Sequence, residues 1–166
     1  MAWVGDQIVD SRTRQAYTLV QAAADWSPWH PFLTEPTSAP RLPGVYLVRE
    51  PETQVIRYAG MAGERAGSGR PAGLHGRLSV YRTGKGAVSG FGEAALDRAL
   101  ADPKWIRAQL DRLENQGPRR AKEWAADAIF RLSPEVSWTV VTDRASAKSL
   151  EDKVVPLLRP YGLWNR

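Results

Sequence analysis

The chain has 166 residues, 43% apolar and 25% charged, with a net charge of +5. That length fits one domain with a real core, and no apolar run approaches the ~20 residues of a membrane span. With no cysteine and two histidines, disulfides, thiolate catalysis, cysteine-type zinc and histidine metal clusters are excluded; any metal has to be a hard cation on carboxylate and water.

Residues 1–40 read as an N-terminal extension that packs on the rest. Met1 to Asp10 lacks the basic start and apolar block of a signal peptide, so a cytoplasmic protein is expected. Thr13 to Trp26 places Ala16, Leu19, Val20 and Ala23 at helical spacing. Pro28, Pro31, Pro36 and Pro40 make the following segment an irregular crossing, with His30 expected to pack rather than react.

A domain spanning 41–166 follows, opening on a hairpin. Val45–Val48 and Val55–Ala59 are β-rich runs separated by the polar break Glu50–Gln54. With Pro51, Glu52 and Thr53 as the loop, Glu50 faces Gln54 and Tyr46 lies opposite Tyr58. Both phenols then leave one face of the sheet. Two readings stand: a cross-strand stacking pair, or two functional groups. Met61 to Gly73 is a glycine-rich loop with Arg65 and Arg70, suited either to phosphate contact or to a mobile insertion. Leu74 to Arg82 reads as a helix that puts Arg77 and Tyr81 on one face. Gly84, Gly86, Gly90 and Gly92 suggest a flexible basic connector. It opens a helical insertion at about 84–132, with helices at Glu93–Ala101, 103–116 and from Pro118 to Leu132.

Val136 to Thr142 is a third strand, and a helix over about 146–158 follows, with Pro156 expected to kink or end it. Glu151 lies on the apolar side of that helix, where an unpaired carboxylate is costly. Between Gln54 and Gly92 the bases are Arg57, Arg65, Arg70, Arg77, Arg82 and Lys85, against one acid, Glu64. The excess positive charge is thus concentrated after the hairpin, which favours an anionic partner.

Two tyrosines, an arginine with a tyrosine four residues on, one carboxylate and a basic loop suit phosphodiester hydrolysis. A carboxylate can hold Mg²⁺ with most of its waters, arginine forks onto phosphate oxygens, and a phenol of lowered pKa can accept a proton. The ordered set Gly44-Val45-Tyr46, Tyr58-Ala59-Gly60, Arg77, Tyr81, Glu151 and Asn165 resembles the GIY-YIG nucleases over about 42–166.

The resemblance implies an α+β fold around a small three-stranded antiparallel sheet flanked by helices. It implies an endonuclease that cleaves DNA, expected to be double-stranded, with one Mg²⁺ or Mn²⁺ and leaves 5′-phosphate and 3′-hydroxyl ends. It makes Tyr46 the general base assisted by Tyr58, Arg77 the holder of the scissile phosphate, and Tyr81 an assistant at the water or phosphate. Glu151 would bind the metal and Asn165 would orient the site. Arg57, Arg65, Arg70, Arg82 and Lys85 are the candidate nucleic-acid contacts. The chain departs from the family in carrying Met61 where many members have lysine, in the long 61–73 loop, and in the insertion. Target selection would then rest on the extension, the insertion or a homodimer. The competing readings are a non-catalytic nucleic-acid-binding module and a nuclease acting on RNA or branched DNA.

Overall fold

The computed structural model describes residues 9–33, 38–64 and 71–166. Among them the chain is α+β, with six α-helices and one four-stranded antiparallel sheet. The strands are β1 (His30–Pro31), β2 (Gly44–Arg49), β3 (Ile56–Ala62) and β4 (Glu135–Val140), in the order β1-β4-β2-β3. The expected three-stranded sheet gains β1 from the proline-rich crossing. Ser27 N–H donates to the Trp138 carbonyl at 2.7 Å, Phe32 N–H to the Pro134 carbonyl at 2.8 Å, and His30 pairs with Val136. Pro31 lacks an N–H and so suits this outer position. His30 stacks on Trp138 with ring centroids 4.8 Å apart.

Side chains alternate along β2, which lies between β3 and β4 and is buried throughout. Val45 and Leu47 face a core built with Tyr17, Val20, Ile56, Leu150 and Val154. The helices on that side are α1 (Ser11–Ala22) and α6 (Arg144–Leu158), which pack on each other. Tyr46 and Val48 face the other core, with Leu74, Leu78, Tyr81, Phe91 and Ile129. That side carries α2 (Gly73–Arg82), α3 (Gly90–Leu100) and α5 (Ala121–Phe130), and α4 (Pro103–Gln116) packs behind α3.

The hairpin register differs from the expected one by two residues. Tyr46 pairs with Gly60, and Tyr58 with Val48. The loop takes four residues, Pro51 to Gln54, closed by Glu50 N–H to the Val55 carbonyl at 3.1 Å, with Gln54 at φ +54°. The pairing then shifts between Arg49 and Val48, leaving Arg57 as a bulge. A shift of two preserves the face, so both tyrosines still project to the same side.

The helix ends depart from expectation in several places, α1 among them, which ends at Ala22 rather than Trp26. Gly90 and Gly92 belong to α3, not to a connector. Pro118 does not open α5, which starts at Ala121. Pro156 is accommodated inside α6, whose flanking residues Val154 and Leu158 are fully buried against the sheet. Burial there outweighs the local cost of proline. Asp143 caps α6 by accepting from Ser146 N–H at 2.7 Å. No helix among the described residues is long and apolar enough to cross a membrane.

Candidate active site

The central strand delivers Tyr46 into the middle of the α2–α3 face, where it is 1% exposed. Its ring fits because residue 60, opposite it, is glycine. A Cβ there would sit 2.6 Å from Tyr46 Cζ and 3.0 Å from the Tyr58 ring. Tyr58 stacks beside Tyr46, with ring centroids 6.2 Å apart and planes 20° apart. From α2, the buried Tyr81 hydroxyl shares a 2.9 Å hydrogen bond with the Tyr46 hydroxyl. The start of α2 is fixed by the segment before β2. Leu74 N–H donates to the Leu42 carbonyl at 2.9 Å and His75 N–H to the Pro40 carbonyl at 3.0 Å. Those bonds satisfy orphan amides of the first turn and set the rotation of α2 that presents both Arg77 and Tyr81.

Helix α3 completes this cluster. Phe91 packs edge-on against Tyr81, with centroids 5.9 Å apart, and lies 5.8 Å from the Tyr58 ring. Gly90 has φ +56° and lies directly against the Tyr81 hydroxyl; a Cβ there would also come within 3.2 Å of the Tyr58 hydroxyl. The positive φ and the crowding both call for glycine. The sequence reading began this helix at Glu93 and assigned the residues before it to a connector, so it missed Gly90 and Phe91 and gave Glu93 no role in the site. The signals were present: Ser89 stands at the N-cap, and Phe91, Ala95 and Ala99 repeat at helical spacing.

Asn165 acts on the edge strand. Its side chain accepts from Ala59 N–H at 3.1 Å and donates to the Ala59 carbonyl at 2.6 Å. Trp164 N–H donates to the Arg57 carbonyl at 2.6 Å. The 164–165 segment therefore docks along β3 and shields an edge that would otherwise stay unpaired.

The charged members of the expected set are nearby but do not touch the phenols. Arg77 is exposed and makes no ion pair or hydrogen bond among the described residues. Its charge lowers the pKa of both Tyr46 and Tyr58. Glu151 stands on α6, whose apolar residues cover the opposite face, yet its charge reaches Tyr58 and raises its pKa. The Glu151 side chain is 19% exposed, with one polar contact among the described residues, from Lys148 Nζ at 3.3 Å. Burial is the largest effect on both phenols and pushes each well above its ordinary value. Tyr58 is thus the phenol on which Arg77, Glu151 and Glu93 all act, and it is only half-buried.

A cleft of about 430 Å³ opens beside Tyr58, walled by Glu93 and Asp97 of α3 and by Trp164, Asn165 and Arg166. Of the candidate nucleic-acid contacts, Arg82 is half-buried in the last turn of α2 and Lys85 is exposed in the turn after it. Arg57 is engaged with Glu50 at 2.8 Å and lies 5.7 Å from the Trp164 ring centroid. Arg65 and Arg70 lie outside the described residues.

No protein-family model, curated protein or solved structure matches the chain.

Among the described residues no three of His, Asp and Glu come together. Among the carboxylates of the expected set, Glu151 could hold a divalent cation with water completing its shell, an arrangement that suits Mg²⁺. The half-buried carboxylate with one long lateral contact fits that use.

Proposed function

We propose that the chain is a metal-dependent endonuclease of the GIY-YIG type, hydrolysing phosphodiester bonds in DNA to 5′-phosphate and 3′-hydroxyl ends. The observation that carries this is the gathering of three phenols on one face of the sheet, Tyr58 stacked on Tyr46 and Tyr46 bonded to Tyr81, with the exposed Arg77 on the same helix as Tyr81.

In this reading Arg77 forks onto the scissile phosphate, and its exposure leaves it open to do so. A divalent ion held by Glu151 would supply stabilisation of charge on the leaving oxygen. The resemblance gives Tyr46 the role of base. Its 1% exposure and its bond to Tyr81 favour Tyr58 for contact with water, with Tyr46 and Tyr81 anchoring the cluster from behind. A phenol is protonated at neutral pH, and burial raises the pKa of Tyr46 and Tyr58 further, so each first serves as a hydrogen-bond donor. Asn165 holds β3, and with it Tyr58, in register.

Supercoiled plasmid incubated with the protein and Mg²⁺ or Mn²⁺ tests this. Nicked or linear product bearing 5′-phosphates is expected, and its absence with every divalent ion sinks the reading. A second reading, a nucleic-acid-binding module without hydrolysis, is favoured by the raised phenol pKa values and by Met61, which supplies no cation. It predicts binding that weakens steeply with salt and no cleavage. Comparing duplex DNA, branched DNA and RNA as substrates separates the remaining alternatives.

A further inference from the structure

We propose that Glu93, from the inserted helix α3, takes the proton of the attacking water, and that the Tyr58 hydroxyl holds that water in the cleft between α3 and the 163–166 segment. This rests on the hydrolytic reading above and adds a residue that the resemblance does not supply.

Tyr46 is sealed behind Tyr58 and Tyr81, and burial holds both Tyr46 and Tyr58 in the neutral form. Met61 brings no cation to reverse that. A hydrolytic site with these phenols needs another acceptor within reach of water beside Tyr58. Glu93 is placed for it. It lines the same cleft as Tyr58 and Asn165, and its charge is felt at the Tyr58 hydroxyl. Gly90, one turn earlier on α3, packs directly on the Tyr81 hydroxyl, which fixes the distance of the helix from the phenols. The Glu93 side chain is 39% exposed. One of its oxygens lies 3.5 Å from Arg166, and the other has no partner among the described residues. Arg166 bonds more closely to Asp97, at 2.6 Å, so Glu93 is not neutralised by a tight pair.

The charged and titratable groups around Glu93 come from three elements. They are Tyr58 of β3, Arg166 of the 163–166 segment, and Asp97 and Arg98 of α3 itself. Arg77 and Glu151 act on the same Tyr58 hydroxyl from α2 and α6.

The step balances as follows. Water oxygen bonds to phosphorus while one of its protons passes to the Glu93 carboxylate. The bond from phosphorus to the 3′ oxygen breaks, its electron pair stays on that oxygen, and solvent water protonates it. Glu93 then returns its proton to solvent.

The test is steady-state plasmid or oligonucleotide cleavage by wild type, Glu93→Gln, Glu93→Asp and Asp97→Asn, with pH profiles and melting curves. Glu93→Gln is expected to lower kcat about 100-fold with KM and melting temperature unchanged, because general-base catalysis contributes about 10²–10⁴-fold. The acid limb of its kcat/KM profile should change, and Glu93→Asp should recover part of kcat. Asp97→Asn, which removes the closer Arg166 partner, is expected to lower kcat less than Glu93→Gln and to leave the pH profile in place. Full activity in Glu93→Gln overturns the assignment and leaves the nuclease reading intact. An equal loss in Asp97→Asn, with an unchanged pH profile in Glu93→Gln, reduces Glu93 to an anchor for Arg166 and also overturns it. No cleavage by wild type overturns the nuclease reading, and this assignment falls with it.

Discussion

Replacing Gly60 with alanine puts one methyl group into the tyrosine cluster. That methyl carbon would lie on the Tyr46 hydroxyl and 2.6 Å from Cζ, well inside contact distance. Tyr46 cannot retreat freely. Its ring is fully buried, stacked on Tyr58, and tied to Tyr81 by a 2.9 Å hydrogen bond. Overpacking of this kind costs about 1–3 kcal/mol. Displacing the phenol also breaks the Tyr46–Tyr81 bond, adding about 1 kcal/mol. Reduced freedom of the unfolded chain returns about 0.4–1 kcal/mol. The expected net loss is about 1–3 kcal/mol, or a fall in Tm of about 2–12 °C for a chain of this size. Urea melts of Gly60→Ala, Tyr46→Phe and the double variant measure it. Removing the hydroxyl relieves the closest contact, so the alanine should cost about 1 kcal/mol less in the Tyr46→Phe background. A loss below about 0.5 kcal/mol for Gly60→Ala, or strict additivity in the cycle, would refute the placement of Tyr46 against Gly60.

Two further outcomes bear on the scaffold. Asn165→Ala should cost about 2–4 kcal/mol, because it strips partners from both backbone groups of the fully buried Ala59; hydrogen exchange should show the Ala59 amide losing protection, and an unchanged rate would contradict the clamp. Alkaline unfolding should be steep. Burial raises the pKa of Tyr46 and Tyr58, and of Tyr17, above the unfolded value near ~10, so the folded state holds more protons at high pH. That stability is intact below about pH 10 and is lost as pH rises, by about 1.4 kcal/mol per pH unit for each phenol. Urea midpoints followed against tyrosinate absorbance check it. Tyr46→Phe should flatten the slope by one phenol's share, and an unchanged slope would count against burial of that hydroxyl.

The sequence was most legible where local pattern and tertiary packing agree. The β-rich runs around Tyr46 and Tyr58, the helix carrying Arg77 and Tyr81, and the helix carrying Glu151 all follow from periodicity. The shared face of the two phenols also follows, although the pairing is displaced by two residues. That displacement comes from the extra loop residue at Gln54 and the bulge at Arg57, which depend on loop closure rather than on hydrophobic pattern. β1 was hidden because prolines around His30 read as a crossing, while the hydrogen bonds that make it a strand come from Trp138 and Pro134, over a hundred residues away. The first turn of α3, ahead of the expected start at Glu93, was hidden for a different reason. Gly90 and Gly92 read as breakers on propensity. Here they let α3 approach the Tyr81 ring and hydroxyl, so what looked like a spacer forms a wall of the site. The distance between Glu151 and the phenols was likewise not readable from spacing, because α6 packs on the opposite face and acts on Tyr58 through charge rather than contact.

The central claim is that Arg77 and Glu151 serve one reaction at Tyr58. Single-turnover cleavage of plasmid DNA with Mg²⁺, comparing wild type with Arg77→Ala and Glu151→Ala at matched folding by circular dichroism, tests it most directly. A fall of about 10²–10³-fold in rate is expected in each variant, the size seen when one charge-stabilising group is removed. Cleavage by both variants at the wild-type rate would contradict the account.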